Sequence, residues 1–297
     1  MIGAGELVLA AGRLGPVATA LAAAGNPTAL EGARLAHAAG LIVPILVGDP
    51  AAIAAAAATI GWDLAGVRVV AAADEPAAAT AAVALVRAGE ADALMKGHLH
   101  TDVLLRAVLD RTAGLRAGRR LTHAFHMSMD GRFPPLLITD AAVNVAPDPA
   151  TMRDIVLNAI DLARALGDAV PRVALLSASE TPTASLPSSI AAASLAAEFA
   201  GSDAEIAGPF GFDNAISPEA ARIKGVTGPV AGQAGILVVP NIEAGNVLFK
   251  ALVHYQGAIA AGIVLGAAVP IMLTSRADPP EARLASAALA RLMTEQN

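Results

Sequence analysis

Short apolar runs alternate with alanine-rich segments along almost the whole chain. The runs Glu6–Ala10, Leu41–Val47, Val67–Ala71, Ala91–Met95, Leu121–Phe125 and Leu136–Thr139 predict strands. So do Arg172–Leu176, Glu205–Ala207, Ile236–Val239, Ile263–Leu265 and Ile271–Thr274. Helices are predicted near 27–39, 50–60, 76–88, 101–110, 149–166, 187–200, 217–223, 244–257 and 280–293. Such alternation is that of an α/β fold whose mostly parallel sheets carry helices on both faces. Polar or glycine-containing breaks at 111–120 and 257–262 mark two hinges. They predict an outer lobe built from both chain ends, 1–118 and 262–297, with 119–261 inserted as a second lobe. Ligands then belong in the cleft between lobes, at the carboxyl ends of strands.

Composition narrows the class. Of the 297 residues 55% are hydrophobic and 15% charged, so a large core is available and the composition argues against disorder. Cysteine is absent, which removes disulfides, zinc-thiolate sites and a cysteine nucleophile. The start Met-Ile-Gly-Ala-Gly-Glu lacks the basic, apolar character of a signal peptide. Gly262, Gly266 and Pro270 interrupt the most membrane-like stretch, 258–273. A cytoplasmic protein with no membrane partner is the expectation.

The net charge of −6 conceals an asymmetry. Residues 96–132 hold seven Lys/Arg and three acids, while the remainder has an excess of ten acids. Four of the six histidines, at 98, 100, 123 and 126, fall in the same window. A basic window in an acidic chain suits a small polyanion better than a nucleic acid, and 3% aromatics leave little for base stacking.

The most informative chemistry lies at 270–281. An apolar run ends at Thr274, Ser275 and Arg276 follow, and Asp278-Pro279-Pro280-Glu281 reads as a capped helix start. A strand turning into a helix N-terminus through Ser-Arg presents N–H groups, a hydroxyl and a guanidinium together, which suits a phosphate. Lys96, one of only three lysines, closes the strand Ala91–Met95 in Lys-Gly. It is either a ligand ammonium or a plain strand-end cap. Asp140 and Asn144 follow the strand ending at Thr139, and Asp213 and Asn214 precede a helix capped by Ser217. Each could orient a ligand or satisfy loop backbone. Asn241 and Asn246 lie in a further strand-to-helix connection. His98 and His100 lack the partners of a metal site, so no metal is expected. Neither a dinucleotide fingerprint nor a Walker A loop occurs.

These blocks, in this order, resemble the phosphate acetyl/butyryl transferase family, the butyryl branch most closely. The resemblance rests on Leu46–Asp49, Ala91–Gly97, Ile138–Pro147, Asp213–Ser217, Gly228–Gly232, Pro240–Asn246 and Leu273–Asp278. It implies the two-lobed fold shared with isocitrate and isopropylmalate dehydrogenases, a homodimer, and reversible acyl transfer between coenzyme A and phosphate. Coenzyme A is then a substrate, and no cofactor is expected. The resemblance places Ser275 and Arg276 in the cleft and makes Arg106 the counterpart of a basic phosphate-contacting residue. An aspartate of the acetyl branch falls at Ala282, so Glu281 or Asp278 would have to serve as the thiol base. A metal- and NAD-dependent decarboxylating dehydrogenase on the same fold is the chief alternative, and a catalytically inactive subunit is another.

Overall fold

The structure is a computed structural model that describes every residue except 130, 132, 274–277 and 297. It divides into two compact units, one of Met1–Gly3 with Arg120–Ala260 and one of Ala4–Arg119 with Ala261–Asn297.

The second of these contains helices α1 (Ala4–Gly12), α2 (Pro27–Ala38), α3 (Pro50–Thr59), α4 (Glu75–Arg87) and α5 (Thr101–Val108). Its first strands are β1 (Val17–Ala22), β2 (Ile42–Gly48), β3 (Arg68–Ala71) and β4 (Ala93–Lys96). Strand order runs β3-β2-β1-β4, parallel throughout. The chain returns to this unit at Ala261, near the start of β10 (Ile259–Leu265), which pairs antiparallel with β11 (Ile271–Met272); β11 then lies parallel to β4. The closing helix, α11 (Pro280–Met293), packs on α1 and α2 through a continuous buried run from Ala285 to Arg291.

The other unit holds β5 (Thr122–Ser128), β6 (Leu136–Thr139), α6 (Pro149–Ala165), β7 (Arg172–Leu176), α7 (Pro187–Glu198) and β8 (Glu205–Phe210). Helices α8 (Phe212–Ile216) and α9 (Pro218–Lys224), strand β9 (Ile236–Val238) and α10 (Ile242–Gln256) complete it. Strand order is β5-β6-β9-β7-β8, parallel except for the β5–β6 pair. A core of Met127, Ile138, Ala174, Leu237 and Val239 is packed by α10 through Leu248, Phe249 and Leu252.

Two expectations are corrected. Glu6–Ala10 lies within helix α1, not a strand. Ala4, Leu7 and Ala11 are its buried positions, a helical spacing that alanine disguises as an apolar run. Strand β1 was not anticipated from the sequence at all. Val17–Ala22 is buried on both faces between β2 and β4, so it shows no polar alternation and its alanines favour helix on propensity. No described helix is long and apolar enough to cross a membrane.

Candidate functional site

In parallel α/β sheets the loops leaving the carboxyl ends of strands carry the chemistry. Asp140 is the first residue after β6, and it is 2% exposed. Its Oδ1 accepts the backbone N–H groups of Ala142 and Val143, both at 2.9 Å. Its Oδ2 accepts the N–H of His123 at 3.1 Å, the N–H of Asn144 at 3.3 Å and Asn144 Nδ2 at 2.7 Å. Asn144 Nδ2 also donates to the Leu121 carbonyl at 2.8 Å. Five donors occupy the roughly four lone-pair sites of the Asp140 carboxylate, so these bonds order its loop.

The histidines of the basic window separate. His100 is exposed at the start of α5, where its N–H donates to Glu75 Oε2 at 3.0 Å, and His98 is half-buried. His123 and His126 lie inside β5 and are fully buried, so they add nothing to a cationic surface. Neither ring nitrogen of His123 has a partner among the described residues, and its ring packs edge-on against Phe125 at 4.3 Å. His126 Nδ1 lies 3.3 Å from Ser128 Oγ, while Nε2 has no well-formed hydrogen bond among the described residues, the Ile2 backbone being the nearest polar influence on the ring. Burial pushes both imidazoles down to about 4, the charge of Asp140 opposing this at His123. Both are therefore neutral at pH 7.

These depressed values set the sign of an acid dependence. The unfolded chain binds protons near pH 6.5 and the folded one only near 4, so stability is complete above pH 6.5 and falls as pH drops toward 4. At about 1.4 kcal/mol per unit, each histidine is expected to remove about 3 kcal/mol by pH 4. Urea midpoints between pH 7.5 and 4.5 measure this. A His123→Leu, His126→Leu double variant should show a flatter slope, and an unchanged slope would rule out the assignment.

At the carboxyl ends of β7 and β8 a second cluster forms. Lys224 Nζ lies 3.0 Å from Glu180 Oε1 and 3.0 Å from Asp213 Oδ2. Asn214 Nδ2 donates to the same Glu180 oxygen, while its enclosed Oδ1 has no partner among the described residues. Asp213 and Glu180 raise the Lys224 ammonium, which in turn holds both carboxyls below their ordinary range. Glu180 and Lys224 were absent from the sequence-derived site. Lysine scarcity hinted at Lys224, but nothing local ties Glu180 to a loop beginning more than thirty residues later. Asn241 caps α10 by accepting the Ala244 N–H at 2.9 Å. Asn246 is half-buried in α10, and its side-chain amide has no hydrogen-bond partner among the described residues.

In the other unit, Lys96 ends β4 half-buried, its Nζ 3.4 Å from the Gly97 carbonyl. Beside it, Ala23 follows β1 with φ 60°, the left-handed region that alanine adopts at a cost. Ala23, Gly48, Asp49, Glu75 and His98 line a cavity of about 240 Å³ at these strand ends. Arg106 lies on α5 in an exposed pair with Asp102 at 3.3 Å. Such a pair is weak and leaves the guanidinium accessible. Helix α11 starts at Pro280 with Pro279 in the cap position and no side-chain capping bond, which corrects the capping box read at Asp278. Pro280 disfavours helical dihedrals at the residue before it, so Pro279 stays extended with ψ 162° and takes the cap position. Glu281 is exposed in that turn. Ser275 and Arg276 lie outside the described residues. No group of three His, Cys, Asp or Glu able to hold a metal gathers among the described residues.

A family model described as phosphate acetyl/butaryl transferase matches residues 75–291. The chain belongs to the phosphate acetyl/butyryl transferase family. A phosphate acetyltransferase of Rhizobium meliloti is 50% identical over 292 residues, 97% of this chain and 92% of that protein. A phosphate butyryltransferase of Clostridium beijerinckii is 40% identical over 281 residues, 94% of this chain and 93% of that protein. The crystal structure of a branched-chain phosphotransacylase from Enterococcus faecalis V583 is 33% identical with a TM-score of 0.82, covering 94% of this chain and 99% of that one. These relatives favour transferase over dehydrogenase chemistry for the family's fold. Overall identity does not single out the butyryl branch that the motifs resemble.

Proposed function

We propose that this enzyme reversibly moves a short-chain acyl group between coenzyme A and inorganic phosphate. The reading is carried by 50% identity, over 97% of the chain, to a protein named phosphate acetyltransferase. Thiolate attack on an acyl phosphate needs a base for the thiol, donors at the developing oxyanion and a cation on the departing phosphate. In this reading Arg276 holds the phosphate and Ser275 donates to the oxyanion. Glu281, or Asp278, takes the thiol proton. Lys96 and Arg106 meet the phosphates of coenzyme A, and Asp213, Asn214, Asn241 and Asn246 line the substrate side. Asp140 and Asn144 hold their loop in place for it. No cofactor takes part, because two substrates held in line react directly.

The same reading gives the chain the two-lobed architecture of the isocitrate and isopropylmalate dehydrogenases, with the substrates in the cleft, and a cytoplasmic location. It also makes the chain a homodimer. Supporting this, α10 exposes Val247 at 70% and Tyr255 at 88%, apolar surface of the kind that association covers.

Coenzyme A release from acetyl-CoA and butyryl-CoA, followed with and without phosphate, tests the activity, and sedimentation equilibrium tests the dimer. Release that ignores phosphate would remove the proposal. Arg276→Lys is expected to fold normally and lose at least ~100-fold in rate, since a point charge cannot replace a bidentate fork on phosphate. An unimpaired Arg276→Lys enzyme would take Arg276 out of the mechanism.

A further inference from the structure

A cavity of about 540 Å³ opens within the unit of Met1–Gly3 and Arg120–Ala260. Leu136, Arg172 and Gly235 place it at the amino ends of β6, β7 and β9. Asp140, Glu180 and Asn241 follow the carboxyl ends of those three strands, whereas the cavity meets the same strands at their amino ends and is closed by Phe212 and Ile216 of α8. Its wall is largely apolar, with Met129, Phe133, Leu136, Phe212, Ile216 and Leu252 contributing. Phe212 is 38% exposed at its rim.

The polar lining is sparse. The turn Gly232–Gly235 borders the cavity, but its four N–H groups are already bound to the carbonyls of Asn214, Val230, Ala215 and Arg172. Recognition of a polar head therefore falls to side chains. Arg172 is exposed and its guanidinium has no hydrogen-bond or ion-pair partner among the described residues. Gln233 and Gln256 offer amides at the same rim. Asp168 is the one carboxylate of the lining, and its repulsion grows with every negative charge a ligand carries, so a multiply charged ligand is disfavoured most. A single guanidinium fork above an apolar chamber matches one carboxylate on an apolar tail, and the volume is that of a small-molecule site.

We propose that this cavity binds a medium-chain monocarboxylate, its head on Arg172 and its tail along Leu136, Ile216 and Leu252. The site is separate from the acyl-transfer centre and does not depend on that reading, because binding is measured without turnover.

Calorimetric titration of the full chain with butyrate, hexanoate and octanoate tests it. Affinity should rise about fourfold for each added methylene, the signature of a tail entering an apolar chamber. Arg172→Ala, at an exposed position, should weaken octanoate at least ~10-fold, and octanol should bind no better to the unsubstituted protein than octanoate does to that variant. Ile216→Trp should fill the chamber and abolish binding, with circular dichroism confirming that the fold is kept. Saturating coenzyme A should leave octanoate affinity unchanged. Equal affinities across the series, displacement by coenzyme A, or an undiminished Arg172→Ala variant would overturn the proposal. So would a change of oligomeric mass in Ile216→Trp, because it would seat a second copy on this surface.

Discussion

Replacing Gly97 by alanine is expected to cost about 3 kcal/mol or more and to cut the acyl-transfer rate at least ~10-fold. An added Cβ at this position would lie 2.3 Å from the carbonyl oxygens of both Ala22 and Ala23, and 2.8 Å from the Ala23 carbonyl carbon. All three are backbone atoms, so no rotamer change makes room. The alternative is to part the chains, which breaks the bonds from Gly97 N to Ala22 O and from His98 N to Ala23 O, each 2.9 Å. Two such bonds together contribute about 1–3 kcal/mol, and steric strain adds to their loss. Ala23 already sits at φ 60° and has little freedom to retreat. Because Lys96 is the neighbouring residue, displacement of the strand end moves its ammonium and lowers the rate. Urea unfolding and the phosphate-dependent release assay measure the two effects. A stability loss below ~1 kcal/mol with unaltered rate would show that the β1–β4 edge tolerates a side chain after all.

Asp140→Ala is expected to destabilise the protein by about 3–5 kcal/mol, the range for removing one member of a buried charged network. The backbone N–H groups of His123, Ala142, Val143 and Asn144 would lose their side-chain acceptor together. With them goes the bond that fixes the Asn144 amide, whose other contact is the Leu121 carbonyl. Substitution by asparagine should cost less than alanine, because one acceptor oxygen remains. Alanine and asparagine variants with equal unfolding midpoints would show that the carboxylate is not the hub. Gly245 supports the same loop from α10. A Cβ there would meet Ala141 Cβ at 2.8 Å and Val239 Cγ2 at 2.9 Å, so the helix approaches this closely only through glycine.

Much of the architecture was legible because alternation of apolar strands and alanine-rich helices is a local signal. Leu136–Thr139 and Arg172–Leu176 read as strands at their observed bounds, and Pro280–Met293 as a helix at its bounds. Alanine blurred the rest. It fills β1 as readily as α3, and only the parallel neighbours of Val17–Ala22 hold that segment extended. The candidate residues divide similarly. The motifs in family order placed the chain in its family, since seven short blocks carry information without any contact being known.

Composition, period and motif order by themselves determined the α/β class, the strand-to-helix connections that bear polar residues and the family. What each polar residue does was decided by tertiary contacts. His123 and His126 count as basic in a charge window, yet the sheet encloses both and keeps them neutral at pH 7. Asp140 is one more loop carboxylate until the β5 backbone and Asn144 converge on it. Glu180 gains meaning only when β7 and β8 lie side by side and bring it to Asn214 and Lys224. A residue type specifies which charges and donors a side chain carries, whereas desolvation and partner distance, which set their energies, exist only once the chain has folded.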